Sequence, residues 1–555
     1  MSNQYMPDNS KNCLLILTAI FIISGSLNQC KTPGSNEVDY HHQSLDESLI
    51  PIRPGIPGES PFWNKYAIRF INVPAFDFKP IEGAAHYRFT ATSESDSMDY
   101  VFTAEQPWSL LLPIWKELPT GMVDLTVEGI DENDQVIAVS GTRRFYRAAV
   151  FGGIYHSPER DYRESAFVGL QWLFRQKHYQ RWLTEPSPDT SYILYCYPSK
   201  IIGAVINSML MYAALNPADS LTAKNIAINA GYYLLNASNP AGSPLEFFPP
   251  TYDGDLAEKT DVAGDSEREY ARNKTIEIRD QLMMMYPAEV GEAYLNLYEQ
   301  TGIEEFFKAA VRIADTYSVL QLENGTWHLT LNFHTGEQID PNLCIPTNII
   351  HFLERLIESY GLDKFTKNAD KAMKWIIENP LKNFYWEGQF EDVPPSLAFR
   401  NLSKGHVLSL ASHFLTKDIS NPGLVETAEE LIRFGEDQFV IWEQPFPNET
   451  EKTDNWITPC ALEQYVYYVP IDASAARFIE TFKIAYEATG KEIYLAKAWS
   501  LANSMTIAQD SLTGEYPTYW EYERRHQLDG WINCATADAR AILGFADFLD
   551  KLNEN

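Results

Sequence analysis

The sequence predicts an N-terminal β-sandwich followed by an all-α domain of stacked helix pairs. Three observations carry this. A helix-pair pattern recurs far along the chain: residues 298–315 read YEQTGIEEFFKAAVRIAD, residues 486–503 read YEATGKEIYLAKAWSLAN, and the two align without a gap. Hydrophobic periodicity changes from about two to about 3.6 at the Phe151-Gly152-Gly153 step. The loops between the pairs are long and unlike one another, which suits an array closed on itself better than a regular open solenoid.

The front of the chain comes first. Leu14 to Ile23 is an apolar run too short to span a bilayer and of the right length for the core of a signal sequence. Leu27 stands three residues before Cys30, a spacing that resembles a bacterial lipobox. The resemblance implies export, a leader over residues 1–30 and a lipid on Cys30, at the cell surface, in the outer membrane or in the periplasm. Residues 31–61, with Pro, Gly, Ser and Asp, read as a tether.

Residues 62–150 carry β-rich or alternating runs at Tyr66–Val73, His86–Thr92, Asp99–Thr103 and Met122–Glu128, split by turn clusters such as Lys79-Pro80 and 131–134. This predicts a sandwich of immunoglobulin or fibronectin type, with Trp108 and Trp115 in packing roles. From 151 to 555 the reading is helical. Helix starts are predicted near Asp161, Pro198, Ser220, Pro287, Glu304, Pro346, Phe365, Ser403, Leu424, Ala473, Tyr494 and Asn533. In both copies of the repeat a helix ends at Thr-Gly, Thr301-Gly302 and Thr489-Gly490, a glycine stop signal. A looser copy starts at Tyr360-Gly361. The stretch 240–275 is polar and proline-broken and predicts a long loop.

The pattern TG-x-x-x-[FY]-[FL]-x-x-A resembles the (α/α) toroid of carbohydrate-active enzymes, a group that includes glycoside hydrolases, glucuronyl C5-epimerases and several polysaccharide lyases. The resemblance covers about residues 155–550. It implies six or seven helix pairs, (α/α)6-7, with a site in the central cleft where loops lead into inner helices. With the lipoprotein-like leader and a β-domain, the chain also resembles glycan-degrading lipoproteins of bacteria.

Composition narrows the function. The formal net charge of −31 disfavours nucleic acid as a partner. It also means that a polyanionic substrate needs a local basic cluster to hold it. Thirteen Trp and 31 Tyr supply helix-packing cores and sugar-stacking platforms alike. Cys196, Cys344, Cys460 and Cys534 stand singly, without CxxC or clustered His, so buried thiols are expected and no metal or cofactor is predicted. Phosphate loops, G-x-S-x-G elbows and H-E-x-x-H are missing from the sequence.

Five stretches place polar and aromatic residues just before an apolar helix: 192–200, 273–287, 334–348, 383–406 and 455–468. Two chemistries can be assembled from them. Lyase or epimerase chemistry takes the proton beside a uronate carboxyl, which needs a base, a neutraliser for the carboxylate and an acid for the leaving oxygen. Tyr286, Asn401, His406 and Tyr465 supply these types as candidate catalytic residues, with His334 as a further candidate base. Arg279, Arg400 and Lys404 supply positive charge, and Tyr197, Trp386, Gln389, Trp456 and Gln464 complete the candidate substrate contacts. Hydrolase chemistry needs two carboxyls, and Glu387, Glu391, Asp392 and Glu463 supply them. A histidine at the start of an apolar helix is often only a packing group, and a tyrosine run such as Tyr465, Tyr467 and Tyr468 must place at least one ring in the core. The reading favoured here is a polysaccharide lyase that cleaves a uronic-acid polymer, ulvan-like or heparin-like, by β-elimination. A glycoside hydrolase or a non-catalytic glycan-binding lipoprotein is the alternative.

Overall fold

The structure, a computed structural model, describes residues 39–53, 63–262, 266–391, 401–443, 456–464, 469–520 and 530–554. The leader with Cys30 lies outside the described residues.

Five strands form one sheet in the order β1-β5-β4-β2-β3: β1 (Arg69–Phe70), β2 (His86–Ser93), β3 (Asp99–Ala104), β4 (Gly121–Ile130) and β5 (Val136–Arg147). Neighbours are antiparallel except β1 and β5. The expected sandwich is therefore corrected to a single five-stranded sheet among the described residues of 62–150. The reason lies in the run Tyr66–Val73. Only Arg69 and Phe70 pair with the sheet. Beyond them the amides of Ile71 and Asn72 both donate to the Asp437 carboxylate, at 2.6 Å each. The strand that a second sheet would have needed is bound to the helical domain instead. The buried face of the sheet is covered by Phe70, Phe76 and Trp115, which cluster on Phe145 with centroids 5.5–6.2 Å apart. Trp115 packs wholly inside, as expected.

Part of the expected tether is also folded. Residues Tyr40–Glu47 form a helix. Asn72 donates to the Glu47 and Ile50 carbonyls, and Tyr40 packs on Phe151 at 5.8 Å.

Twelve helices of 13 residues or more follow among the described residues, numbered here α1 (Tyr162–Arg175), α2 (Pro198–Leu215), α3 (Ser220–Ala237), α4 (Tyr286–Thr301), α5 (Glu304–Leu320), α6 (Thr347–Tyr360), α7 (Thr366–Glu378), α8 (Gly405–Lys417), α9 (Pro422–Phe439), α10 (Asp472–Thr489), α11 (Glu492–Ala508) and α12 (Ile532–Glu554). Each begins within two residues of its predicted start. The glycine stops are real: Gly302, Gly361 and Gly490 are left-handed, at φ 72°, 69° and 67°, and their amides close the final turns.

The even-numbered helices pack in sequence, α2 on α4, α4 on α6 and onward, and α12 returns to pack on α2. Each odd-numbered helix backs one even-numbered helix from outside, with α1 behind α12. This is a closed ring of six helix pairs. Close approach inside the ring uses small residues: a Cβ at Gly291 of α4 would sit 2.4 Å from the Phe352 ring of α6. Ala310, Ala314, Ala498 and Ala502 seat the outer helices and are fully buried. The stretch 240–275 differs from its expected loop, since Gly254–Lys259 and Ser266–Glu277 are helical. The Asp253 side chain caps the first of these by accepting from the Leu256 amide.

Candidate active site

Hairpin links make alternate helices run the same way. All six inner helices therefore point their N-termini at one end of the ring, and the loops that precede them meet there. Glu391, on the loop before α8, is the hub of this mouth and is buried. Its carboxylate accepts from the Lys200 ammonium of α2 at 2.5 Å and from the Tyr286 hydroxyl at the start of α4. Its backbone is pinned too, the amide by the Tyr286 oxygen and the carbonyl by the Tyr252 hydroxyl. Burial first, and the Glu391 charge second, hold the Tyr286 phenol well above its ordinary range. Beside this group Tyr197 stacks on Trp531, with centroids 5.7 Å apart and planes at 16°, and Lys200 lies 4.7 Å over the same indole.

One turn into α4 stands Glu289, which accepts from the Asn348 amide at 2.8 Å. Burial pushes its carboxyl up to about 7, with the Lys200 charge opposing and the Glu391 charge adding to the rise. Glu463 is raised by the same cause, opposed by Lys404 and Lys200. Lys404, just before α8, donates to the Glu463 carbonyl, and burial brings its ammonium down to about 8. His406 on the first turn of α8 meets Thr347 Oγ1 through Nδ1 at 2.8 Å. Burial, and then the Arg477 charge, hold it down to about 4, so it is neutral at pH 7.

Below the mouth, inner-helix side chains line the lumen. Arg540 of α12 is enclosed by the ring although its side chain is half exposed, and it pairs with Glu480 of α10 at 2.8 Å. Arg477 of α10 and His351 of α6 stand at similar depth. Asp472 and Asp538 are buried where α10 meets α12, and burial raises both. Among the described residues no three His, Cys, Asp or Glu are grouped as metal ligands. A cavity of about 220 Å³ between the Tyr40–Glu47 helix and the sheet, lined by His41, Lys116 and Arg147, shares no residue with the mouth.

The ring brings together Tyr286, Lys404, His406, Tyr197, Glu391 and Glu463 of the predicted set. Arg279 is elsewhere: it pairs with Glu258 and Asp255 on the 254–280 excursion and donates to the Ile276 carbonyl. His334 is on the surface beside Asp280, at 3.4 Å. Three residues predicted to touch substrate or carry chemistry instead hold their own loop. Gln389 accepts from the Ile345 amide and donates to the Leu343 carbonyl, Asn401 donates to the Gly388 carbonyl, and the Trp386 ring has no exposed surface. Trp456 and Gln464 are buried. Glu387 is buried and pushed up to about 7. Arg400, Tyr465 and Asp392 lie outside the described residues. The four single cysteines are buried free thiols, as expected.

Glu289, Arg477 and Arg540 were not found from sequence. A usable signal existed for two of them. Arg477 and Arg540 interrupt apolar runs, SAARFIE and DARAILGF, where an unexplained charge asks for a reason.

No family model matches the chain, and no curated protein matches it. Solved structures do. A family 76 glycoside hydrolase from a bovine Bacteroides thetaiotaomicron strain matches at 8% identity and TM-score 0.45 over 83% of this chain and 93% of its own. An unsaturated glucuronyl hydrolase from Streptococcus agalactiae matches at 12% and 0.43 over 70% and 92%. A polysaccharide lyase matches at 10% and 0.41 over 86% and 64%. At this level of likeness no residue role and no reaction carries over to the chain.

Proposed function

We propose that this chain is a polysaccharide-cleaving enzyme whose reaction runs at the mouth of the ring, on Glu391. One observation carries the reading: the Glu391 carboxylate is gripped by Lys200 and Tyr286 and lies beside a second carboxyl, Glu289, in an unlike environment. Two carboxyls, here one ion-paired and one raised by burial, are what glycosidic bond hydrolysis requires. Glu391, held by an ammonium and a phenol, acts as base or nucleophile. Glu289, raised to about 7 by burial, still carries its proton near neutral pH and delivers it to the leaving oxygen. The Tyr197–Trp531 pair offers a ring surface on which a sugar face can pack.

β-Elimination is the second reading, and Tyr286 favours it. A phenol bonded to a carboxylate is a proton relay, and a phenol held protonated suits the acid that a leaving sugar oxygen needs. Incubation with a panel of neutral and uronic-acid polysaccharides separates the two. New reducing ends without ultraviolet absorbance mean hydrolysis, and absorbance of an unsaturated uronate means elimination. Glu391→Gln should lower kcat by about 100-fold or more in either case. Turnover that survives this substitution sinks the assignment.

We also propose export, with the mature chain beginning at a lipidated Cys30. Mass spectrometry of the membrane fraction tests this, and an unprocessed Met1 counts against it.

A further inference from the structure

We infer that the cavity between the Tyr40–Glu47 helix and the sheet is a second binding site, and that it takes a sugar acid: one unit carrying both a carboxylate and hydroxyl groups. The site is separate from the mouth and goes beyond the cleavage reading.

The cavity holds about 220 Å³. Pockets for drug-sized ligands hold about 300–1,000 Å³, so this one suits a single sugar unit. Its buried wall is Arg147, the last residue of β5, which is only 3% exposed. Nη1 donates to the Ile71 and Ala148 carbonyls at 3.2 and 2.5 Å, and the guanidinium lies 4.4 Å from the Trp115 ring centre. These contacts fix its plane. Nη2 has no hydrogen bond among the described residues, and the side chain makes no ion pair there. The Asp437 charge reaches Arg147, but that carboxylate is already engaged: Oδ1 accepts the Ile71 and Asn72 amides, and Oδ2 accepts from the Gln438 side chain. Arg69, equally buried on the neighbouring strand, differs: both of its Nη atoms donate to carbonyls. Burial brings Arg147 down to about 10, so it is still a cation at pH 7. It therefore presents to the cavity a donor that is charged, oriented in advance and unused.

The other lining residues decide which anion fits. Lys116 and His41 add nitrogen groups, and Glu117 and Glu443 add carboxylates. Lys116 is held by Asp46 of the Tyr40–Glu47 helix, and Glu443 accepts from the Tyr155 hydroxyl at 3.3 Å. An ion made only of acceptors, such as sulfate, gains Arg147 and is repelled by both carboxylates. A neutral sugar gives hydroxyl donors to Glu117 and Glu443 and leaves Arg147 without a counter-charge. A sugar acid answers both demands: its carboxylate takes the guanidinium, and its hydroxyls donate to the carboxylates opposite. Leu45 and Val150 offer an apolar wall for the C–H face of the ring.

Calorimetric titration of the purified chain with sodium glucuronate, sodium sulfate and glucose tests the inference. Glucuronate should bind where sulfate and glucose do not. Arg147→Gln and Glu443→Gln should each weaken it by about 10-fold or more. Thr120 is an exposed lining residue, so Thr120→Trp fills the cavity without disturbing a buried contact and should abolish binding. Should Arg147→Gln misfold, Thr120→Trp and Glu443→Gln, both at exposed positions, still decide. Glu391→Gln, at the mouth, should leave glucuronate binding as it is, which separates the two sites. A uronic-acid oligosaccharide that binds with the same dependence on Thr120 makes the occupant a unit of the polymer, and binding of the monomer alone makes it a free sugar acid. The site is overturned if glucuronate does not bind, if sulfate or glucose binds as well as glucuronate does, if Thr120→Trp leaves glucuronate binding unchanged, or if Glu391→Gln removes it.

Discussion

At the joint between sheet and ring, Asp437, Arg69, Glu436 and Lys497 are all buried and all partnered, whereas at the mouth of the ring the buried Lys404 ammonium bonds to a backbone carbonyl, that of Glu463. The joint is a set of completed bonds. Asp437 accepts two backbone amides, Arg69 donates to the Asp437 carbonyl of α9 and to the Val440 carbonyl just beyond it, and Lys497 meets Glu436 at 2.7 Å. The mouth is a set of opposed demands: two carboxyls raised by burial, an ammonium lowered to about 8 and a histidine lowered to about 4. Completed bonds stabilise a fold and do nothing else. Groups held away from their preferred protonation state cost stability, and a chain keeps them where chemistry needs them.

Asp437→Ala breaks the joint hardest. It strands the buried amides of Ile71 and Asn72, and the expected loss is about 3–5 kcal/mol, read by denaturant unfolding. Activity per folded molecule should be unchanged, because Asp437 lies on the outer helix α9, away from the inner-helix ends. A variant that keeps its stability would mean the sheet is not anchored through this carboxylate.

The mouth responds to acid. His406 is held to about 4 in the fold against about 6.5 when unfolded, so the unfolded chain binds the extra proton. Its contribution is complete above pH 6.5 and is lost as pH falls toward 4, about 3 kcal/mol in all. His406→Gln should flatten that part of the acid limb in pH-dependent unfolding. An unaltered limb would show that the imidazole is not shielded.

Glu289→Gln makes the mirror image of Asp437→Ala. Loss of the proton donor should lower kcat by about 100-fold. Stability should hold, since the amide still accepts from Asn348. Above pH 7 it should rise slightly. A carboxyl raised in the fold contributes stability that is full below about 4.5 and fades as pH climbs through 7, and glutamine does not titrate. Parallel loss of activity and stability would move Glu289 from the site to the framework.

How much of this was legible follows the same division. The helix starts were readable because caps, prolines and Thr-Gly stops are local chemistry: Asp161, Pro198, Gly302 and Gly490 act on the turn they touch. Closure of the ring was readable only as a preference, since contact of α12 with α2 joins residues more than 300 apart. The sandwich failed because strand propensity in Tyr66–Val73 does not reveal that Ile71 and Asn72 bond to a carboxylate on α9. In the site, Lys404 and Tyr286 were found because they stand just before or at the start of an apolar helix. Arg279 and His334 satisfied the same rule and belong to an excursion and a surface turn. Glu289 and Arg477 were missed because a lumen-facing charge one or two turns into a helix looks, by periodicity, like one that faces bulk water. Asn401 and Gln389 looked like substrate contacts because a loop that must brace its own backbone uses the same amides a sugar site does.

The smallest effect tests the repeat itself. Gly490 ends α10 at φ 67°, and its amide closes the last turn onto the Tyr486 carbonyl. A Cβ there would meet nothing within 4 Å, so crowding is absent and only the left-handed backbone resists a side chain. Gly490→Ala should therefore cost about 1 kcal/mol, the strain of an L-residue at positive φ, and Gly490→Asn less, because asparagine tolerates that region. Gly302→Ala should match it, since Gly302 has the same dihedral and the same empty surroundings. Equal losses at the two positions, with turnover unchanged, would establish that the repeated Thr-Gly is a backbone device far from the chemistry. A loss several times larger at one of them would mean that the two helix pairs, identical in pattern, are not equivalent in the ring.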